Sequence, residues 1–142
     1  EILFPDDYIN SISERLSLYN KLGSLKTAVE LETFETDIID RFGKIPSEVK
    51  DLLNSVRIKW LSKELGIEKI ILKQKRMIGY FVPNQQSEFY QTEAFTKILK
   101  YVQHNGKSCV MKEKQTKNGL RLLITFIRID SVKTALDILN KI

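Results

Sequence analysis

The hydrophobic pattern of the chain changes its period at Gly66. Before this residue, apolar side chains recur every three or four positions, which is typical of amphipathic helices. After it, short runs rich in Ile, Val and Leu are separated by turn residues, which is typical of strands. The pattern therefore predicts two lobes, a helical lobe over residues 1–66 and an α/β lobe over residues 67–142.

Three helices are predicted in the helical lobe. The second has the clearest signal, because Thr27 and Glu30 form a T-x-x-E capping box. An apolar stripe of Leu31, Phe34, Ile38 and Phe42 follows it. The third is predicted to start near Ser47, with this residue as its N-cap, and to stop at Gly66. The first is predicted over about residues 11–22, with an apolar face formed by Ile12, Leu16, Tyr19 and Leu22.

In the α/β lobe, the predicted order of elements is β-β-α-β-β-α. The four strands are predicted over residues 67–75, 77–82, 108–114 and 120–128. A helix over about 91–104 is expected to bury Phe95, Leu99 and Val102, and either Asp130 or Ser131 is expected to cap a last helix. The predicted fold class is α+β, an N-terminal three-helix lobe followed by a β-β-α-β-β-α lobe.

The net charge of +5 divides unevenly between the two lobes. Residues 1–66 carry 9 Lys and Arg against 12 Asp and Glu, a net charge of −3. Residues 67–142 carry 14 against 6, a net charge of +8. A uniformly basic protein would suggest a nucleic-acid partner, whereas an acidic lobe joined to a basic one does not by itself indicate this class of partner.

Residues that could carry catalysis or hold a metal are scarce. The single histidine, His104, and the single cysteine, Cys109, cannot supply the three or four ligands that zinc usually takes. The tripeptide Gly106-Lys107-Ser108 lacks the glycine five residues upstream that a phosphate-binding loop needs, and it follows a predicted helix rather than a strand. We therefore expect no metal, no cofactor and no enzymatic activity in these residues.

The cellular setting is predicted from what the chain does not contain. No apolar run approaches the roughly 20 residues that cross a bilayer, and no signal peptide is evident. One cysteine forms no intrachain disulfide, which favours a reducing compartment. We expect a cytoplasmic protein without a membrane partner.

Basic residues around the two predicted hairpins form one candidate surface. They are Lys69, Lys73, Lys75 and Arg76 at the first hairpin, and Lys112, Lys114, Lys117 and Arg121 at the second. Of these, the candidates for phosphate contacts are Lys73, Lys75, Arg76, Lys112 and Lys114. The alternative is that lysines protect exposed strand edges from pairing, and no aromatic stacking platform is evident beside them.

An acidic face on the second helix forms the other candidate surface. Helical spacing places Glu30, Thr33, Asp37 and Asp40 opposite the apolar stripe. The alternative is a solvated helix face on which Asp37 pairs with Arg41 four residues later.

Several phrases in the helical lobe occur together. They are L-F-P-D-D-Y-I at 3–9, R-L-S-L-Y at 15–19, and I-D-R-F-G at 39–43, accompanied by Lys26-Thr27, Pro46 and Leu65-Gly66-Ile67. In combination they resemble the C-terminal domain of bacterial transcription-repair coupling factor (Mfd), over about residues 3–72. The family often has a proline where this chain has Asn10.

The resemblance implies a regulatory domain of a large ATP-driven DNA translocase. In that family the domain folds back on a UvrB-like module of the same chain, masks the surface that binds UvrA, and represses the motor. The resemblance places interface residues at Asp37 and Asp40, with Glu30 and Thr33 as neighbours on the same face. ATP, Mg²⁺, DNA and RNA polymerase belong to other modules of the parent. A nucleic-acid-binding module that uses the basic lobe and a dimerisation scaffold are the alternatives.

Overall fold

The structure, a computed structural model, describes residues 3–142 and contains the predicted elements in the predicted order. The helices are α1 (Ile12–Ser24), α2 (Ala28–Phe42), α3 (Ser47–Glu64), α4 (Glu93–His104) and α5 (Val132–Lys141). The strands are β1 (Ile67–Lys73), β2 (Arg76–Phe81), β3 (Cys109–Thr116) and β4 (Gly119–Ile127). A short 3-10 helix at Glu88–Gln91 is the one element that was not predicted. The α+β class is confirmed.

The described chain divides into two compact units. The N-terminal unit extends to Arg57 and the C-terminal unit comprises Ile58–Ile142, so that α3 contributes residues to both. Helix α3 begins at Ser47 itself, because the amide of Lys50 already donates to the carbonyl oxygen of Pro46. The prediction that Ser47 is the N-cap is therefore wrong by one position.

Helix α2 buries three of the four predicted apolar residues in the N-terminal unit, and the fourth, Phe42, is half buried. Leu31, Phe34 and Ile38 are all buried. The capping box is confirmed, since the Thr27 hydroxyl accepts from the Glu30 amide at 3.1 Å and the Glu30 carboxylate accepts from the Thr27 amide at 3.0 Å. This reciprocal pair satisfies two amides that the first helical turn would otherwise leave without partners.

Helix α1 buries only part of the predicted face, which includes Leu22 and the half-buried Tyr19. Leu18 and Leu22 are buried, whereas Ile12 is 67% exposed and Leu16 is 59% exposed. The prediction for Ile12 and Leu16 is wrong, because two overlapping apolar stripes fit the spacing and only packing selects between them.

The motifs of the N-terminal unit hydrogen-bond to one another. The Tyr8 hydroxyl donates to the carbonyl oxygen of Gly43 at 2.7 Å, which joins P-D-D-Y-I to I-D-R-F-G. The Arg15 guanidinium donates to the carbonyl oxygen of Ile9 at 2.6 Å. The amide of buried Phe4 donates to the Tyr19 hydroxyl at 2.7 Å, and the two rings pack 4.9 Å apart. The lead-in segment is thus fixed at three points, and Gly43 supports this arrangement by ending α2 at a positive φ of 89°.

The C-terminal unit is built on one antiparallel sheet in the order β1-β2-β4-β3. Side chains from the helices form a single core with one face of this sheet, which includes Met77, Phe81, Ile124 and Phe126. In α4 the fully buried residue is Ile98, whereas Leu99 is 40% exposed. The prediction that Leu99 points inward is therefore wrong.

Truncation of α1 should distinguish its buried side from its exposed side. Because Leu18 is 7% exposed, we expect Leu18→Ala to lower the free energy of unfolding by about 2–4 kcal/mol. Leu16→Ala should change it by no more than about 0.5 kcal/mol. Chemical denaturation of both variants is the measurement, and equal losses would contradict the observed orientation of α1.

Gly66 should not tolerate a side chain. Its φ is 70°, and an added Cβ would lie 2.3 Å from Cζ of Phe89. We expect Gly66→Ala to lower the melting temperature clearly, since positive φ and a steric clash both oppose the methyl group. Gly23→Ala is the matched control, because its Cβ would meet nothing within 4 Å and alanine favours the helix by about 0.5–1 kcal/mol. A neutral Gly66→Ala would refute the close approach of Phe89.

Candidate functional site

The acidic face of α2 comprises Glu30, Thr33, Asp37 and Asp40, and all four residues are exposed. They lie on the side opposite the buried residues of the same helix. Residues three or four apart on a helix are neighbours, with Cβ atoms about 5–6 Å apart, so Asp37 and Asp40 form an adjacent pair of carboxylates.

Arg41 does not neutralise Asp37. Its guanidinium forms an ion pair with Glu14 of α1 and lies over the Phe42 ring, 4.8 Å from the centroid. Within residues 3–142, neither Asp37 nor Asp40 has a cationic partner within 4.0 Å. The expected alternative, an Asp37–Arg41 pair, is therefore not formed, and two adjacent negative charges face the solvent.

Glu30 differs from the two aspartates, because its carboxylate is already in use. It accepts hydrogen bonds from the amides of Lys26 at 2.9 Å and Thr27 at 3.0 Å. These hydrogen bonds lower the pKa of Glu30 below its usual value, and the bond from the Lys26 amide has the largest effect. Glu30 serves its own helix end, which leaves Asp37 and Asp40 as the carboxylates with free hydrogen-bonding capacity on this face.

The strand register brings most of the predicted basic residues together. Residues paired across neighbouring antiparallel strands project to the same face. Lys73 lies opposite Arg76 in the β1–β2 ladder. The β2–β4 and β3–β4 ladders place Lys112 and Lys114 on the same face as these two residues. Lys75 lies instead in the two-residue turn, at a φ of 60°.

Two further cations and one aromatic ring share this face. The Lys69 ammonium lies 5.4 Å from the centroid of the Tyr80 ring, and the Arg121 guanidinium carbon lies 5.5 Å from it. Arg121 also pairs with Glu68 at 3.0 Å and donates to the carbonyl oxygen of Phe81. The position of Tyr80 was missed from the sequence, although the period of two along β2 contained the signal.

His104 and Cys109 occupy structural positions. His104 Nδ1 lies 2.7 Å from the carbonyl oxygen of Lys100 in the last turn of α4, and Cys109 is buried in the core. Burial raises the pKa of the Cys109 thiol to about 11. Over residues 3–142, no three His, Cys, Asp or Glu side chains are grouped so that they could hold a metal ion. In the same range, no helix has the length and apolarity to cross a bilayer.

The fold and these two surfaces define an α+β domain with an acidic helix face and a basic sheet face. Residues 1–92 match the model of the TRCF domain. The chain is 36% identical over 102 residues to the transcription-repair-coupling factor of Rickettsia conorii, which covers 71% of this chain and 8% of that protein. It is 41% identical over 68 residues to the factor of Escherichia coli, covering 48% of this chain and 6% of that protein.

A solved structure supports the same relationship at the level of the fold. The crystal structure of the C-terminal domain of transcription-repair coupling factor superposes with a TM-score of 0.70, at 18% identity, covering 96% of this chain and 81% of that one. The chain belongs to the TRCF domain family, the C-terminal domain of transcription-repair coupling factor, a DNA repair protein. It spans about a tenth or less of the length of the curated relatives it matches.

Cys109 should be nearly inert in the folded protein. With a pKa of about 11, its thiolate fraction at pH 8 is at least about 100-fold below that of an ordinary cysteine of pKa near 8.5. We expect a thiol reagent at pH 8 to modify the native chain at least about 100-fold more slowly than the chain unfolded in guanidinium. Equal rates would show that the thiol is exposed and reactive.

Proposed function

We propose that this chain is an autoinhibitory domain. It masks the UvrA-binding surface of a UvrB-like module in the same parent protein, and it restrains an ATP-driven DNA translocase. The coupling of RNA polymerase removal to excision repair, and the ATP and Mg²⁺ that drive the motor, belong to other modules of that parent. The domain itself acts by binding and needs no cofactor.

The observation that carries this proposal is the unpaired state of Asp37 and Asp40. Both carboxylates are exposed, and neither has a cationic partner within residues 3–142. Carboxylates accept charge-assisted and bidentate hydrogen bonds from arginine, so a partner surface with arginines suits this face. The structured helix beneath them holds the two groups in a constant relative position.

A weak interface is sufficient for this function. Exposed ion pairs contribute about 0–1 kcal/mol each. Because domain and partner are joined in one chain, their effective concentration is raised to about the millimolar range, so that modest contacts maintain a closed state. An interface of this strength can open when UvrA or polymerase binding favours the open state, which is a shift of populations.

Charge reversal on α2 tests the proposal in the full-length parent. We expect Asp37→Lys/Asp40→Lys to expose the masked surface, because two attractive pairs become repulsive. The measurements are UvrA binding by surface plasmon resonance and the basal ATPase rate. A gain of roughly 10-fold or more in UvrA affinity is expected, corresponding to about 1.4 kcal/mol.

The matched control is Glu32→Lys/Glu48→Lys, which makes the same change in net charge at exposed positions outside the acidic face. This control should leave UvrA binding at the wild-type level. Circular dichroism of all variants checks that they are folded. If the acidic-face variant binds UvrA as weakly as the wild type, the assignment of Asp37 and Asp40 to an inhibitory interface is wrong.

A further inference from the structure

One face of the sheet in the C-terminal unit does not belong to the hydrophobic core cluster, which the helices form with the other face. Residues in register across this face form rows, one of which joins Lys69, Tyr80, Leu123 and Lys112. The next row joins Ile71, Ile78, Thr125 and Val110. None of these residues belongs to the core cluster that the helices form with the opposite face.

The charge of this face is predominantly positive. We call it the basic sheet face, and its basic residues are Lys69, Lys73, Arg76, Lys112, Lys114 and Arg121. Within the four described strands, the register places no Asp or Glu on it. Glu68, at the bulge of β1, pairs with Arg121 at 3.0 Å and offsets the charge of this one cation. Such a face complements a polyanion.

Protection of strand edges explains only part of this pattern. β1 and β3 are the edge strands, so their lysines are accounted for by that role. Arg76 and Arg121 lie on the inner strands β2 and β4, where no edge requires protection. Tyr80 is also on an inner strand and is only half buried, whereas Leu123, opposite it on β4, is 7% exposed. Edge protection does not account for an aromatic ring on an inner strand with Lys69 and Arg121 over it.

The Tyr80 ring indicates which class of polyanion fits this face. Proteins that bind single-stranded nucleic acid combine a basic surface along the backbone with aromatic side chains on which bases stack. In a duplex the base faces are already stacked on one another, so they are not available to the Tyr80 ring. An acidic peptide would use the cations but would gain nothing comparable from Tyr80. Successive outward residues on a strand are about 6.6–6.8 Å apart, so the cations are spread along the face rather than focused on one small anion.

We propose that the basic sheet face binds single-stranded nucleic acid, with Tyr80 stacking on a base while the surrounding lysines and arginines contact phosphates. This role is independent of the acidic face on α2.

The test is fluorescence anisotropy with the 142-residue chain and two labelled probes, oligo(dT) and oligo(U) of about 15 nucleotides. We expect dissociation constants of about 1–100 μM near physiological salt, and weaker binding as salt rises. Binding of either probe supports the proposal, and the tighter one identifies the preferred sugar. No binding at about 100 μM protein in low salt would overturn it.

Variants of Tyr80 and of two lysines separate the contribution of stacking from that of charge. Tyr80→Leu keeps an apolar side chain in the sheet and should weaken binding roughly 5- to 100-fold, whereas Tyr80→Phe should retain it. Lys73→Gln/Lys112→Gln changes only exposed side chains and should flatten the slope of log K against log salt by about 1.4.

The matched control is Lys97→Gln/Lys100→Gln, which removes the same charge from exposed positions on α4. This control should bind like the wild type. If it loses as much affinity as Lys73→Gln/Lys112→Gln, binding reflects net charge and the site is refuted. If an Asp/Glu peptide of equal length binds as tightly and depends equally on Tyr80, the partner is a protein and the proposal is overturned.

Discussion

An amphipathic helix or strand that buries one side in the core places its other side away from the core. Both candidate surfaces arise from this constraint. Helix α2 buries Leu31, Phe34 and Ile38, which places Asp37 and Asp40 outward. The sheet likewise packs a single face against its helices, so the alternate side chains of every strand remain outside that core. Rigid elements therefore hold both sets of charges, which favours defined geometry over the variable positions that loops would give.

The acidic face owes its free charge to local competition for partners. Arg41 is four residues from Asp37 but forms its ion pair with Glu14. The Glu30 carboxylate accepts hydrogen bonds from the amides at the start of α2. The first contact removes a possible counterion of Asp37, and the second engages the Glu30 carboxylate within its own helix. Two carboxylates remain without a cationic partner among residues 3–142, and the proposed inhibitory interface depends on them.

The motifs that carry the family resemblance are explained by contacts that they make with one another. Tyr8 binds the carbonyl oxygen of Gly43, Arg15 binds that of Ile9, and Tyr19 holds the amide of Phe4. These residues assemble the N-terminal unit, and Asp40 is an outward residue within the same I-D-R-F-G phrase. The contacts of these motifs therefore stabilise the fold, and the proposed interface uses an outward residue of one of them.

The sequence by itself determined the type and order of the elements, the capping box and the buried stripe of α2, because these depend on residues close together along the chain. Which side of α1 and α4 is buried, as at Leu18 and Ile98, was decided only by tertiary packing, since overlapping stripes fit the same spacing. Asp37 lacks Arg41 as an ion-pair partner because Arg41 contacts Glu14, which is 27 residues away along the chain. The strand order β1-β2-β4-β3 likewise gathered six basic residues and Tyr80 on one face, a pairing between distant segments that no local pattern encodes.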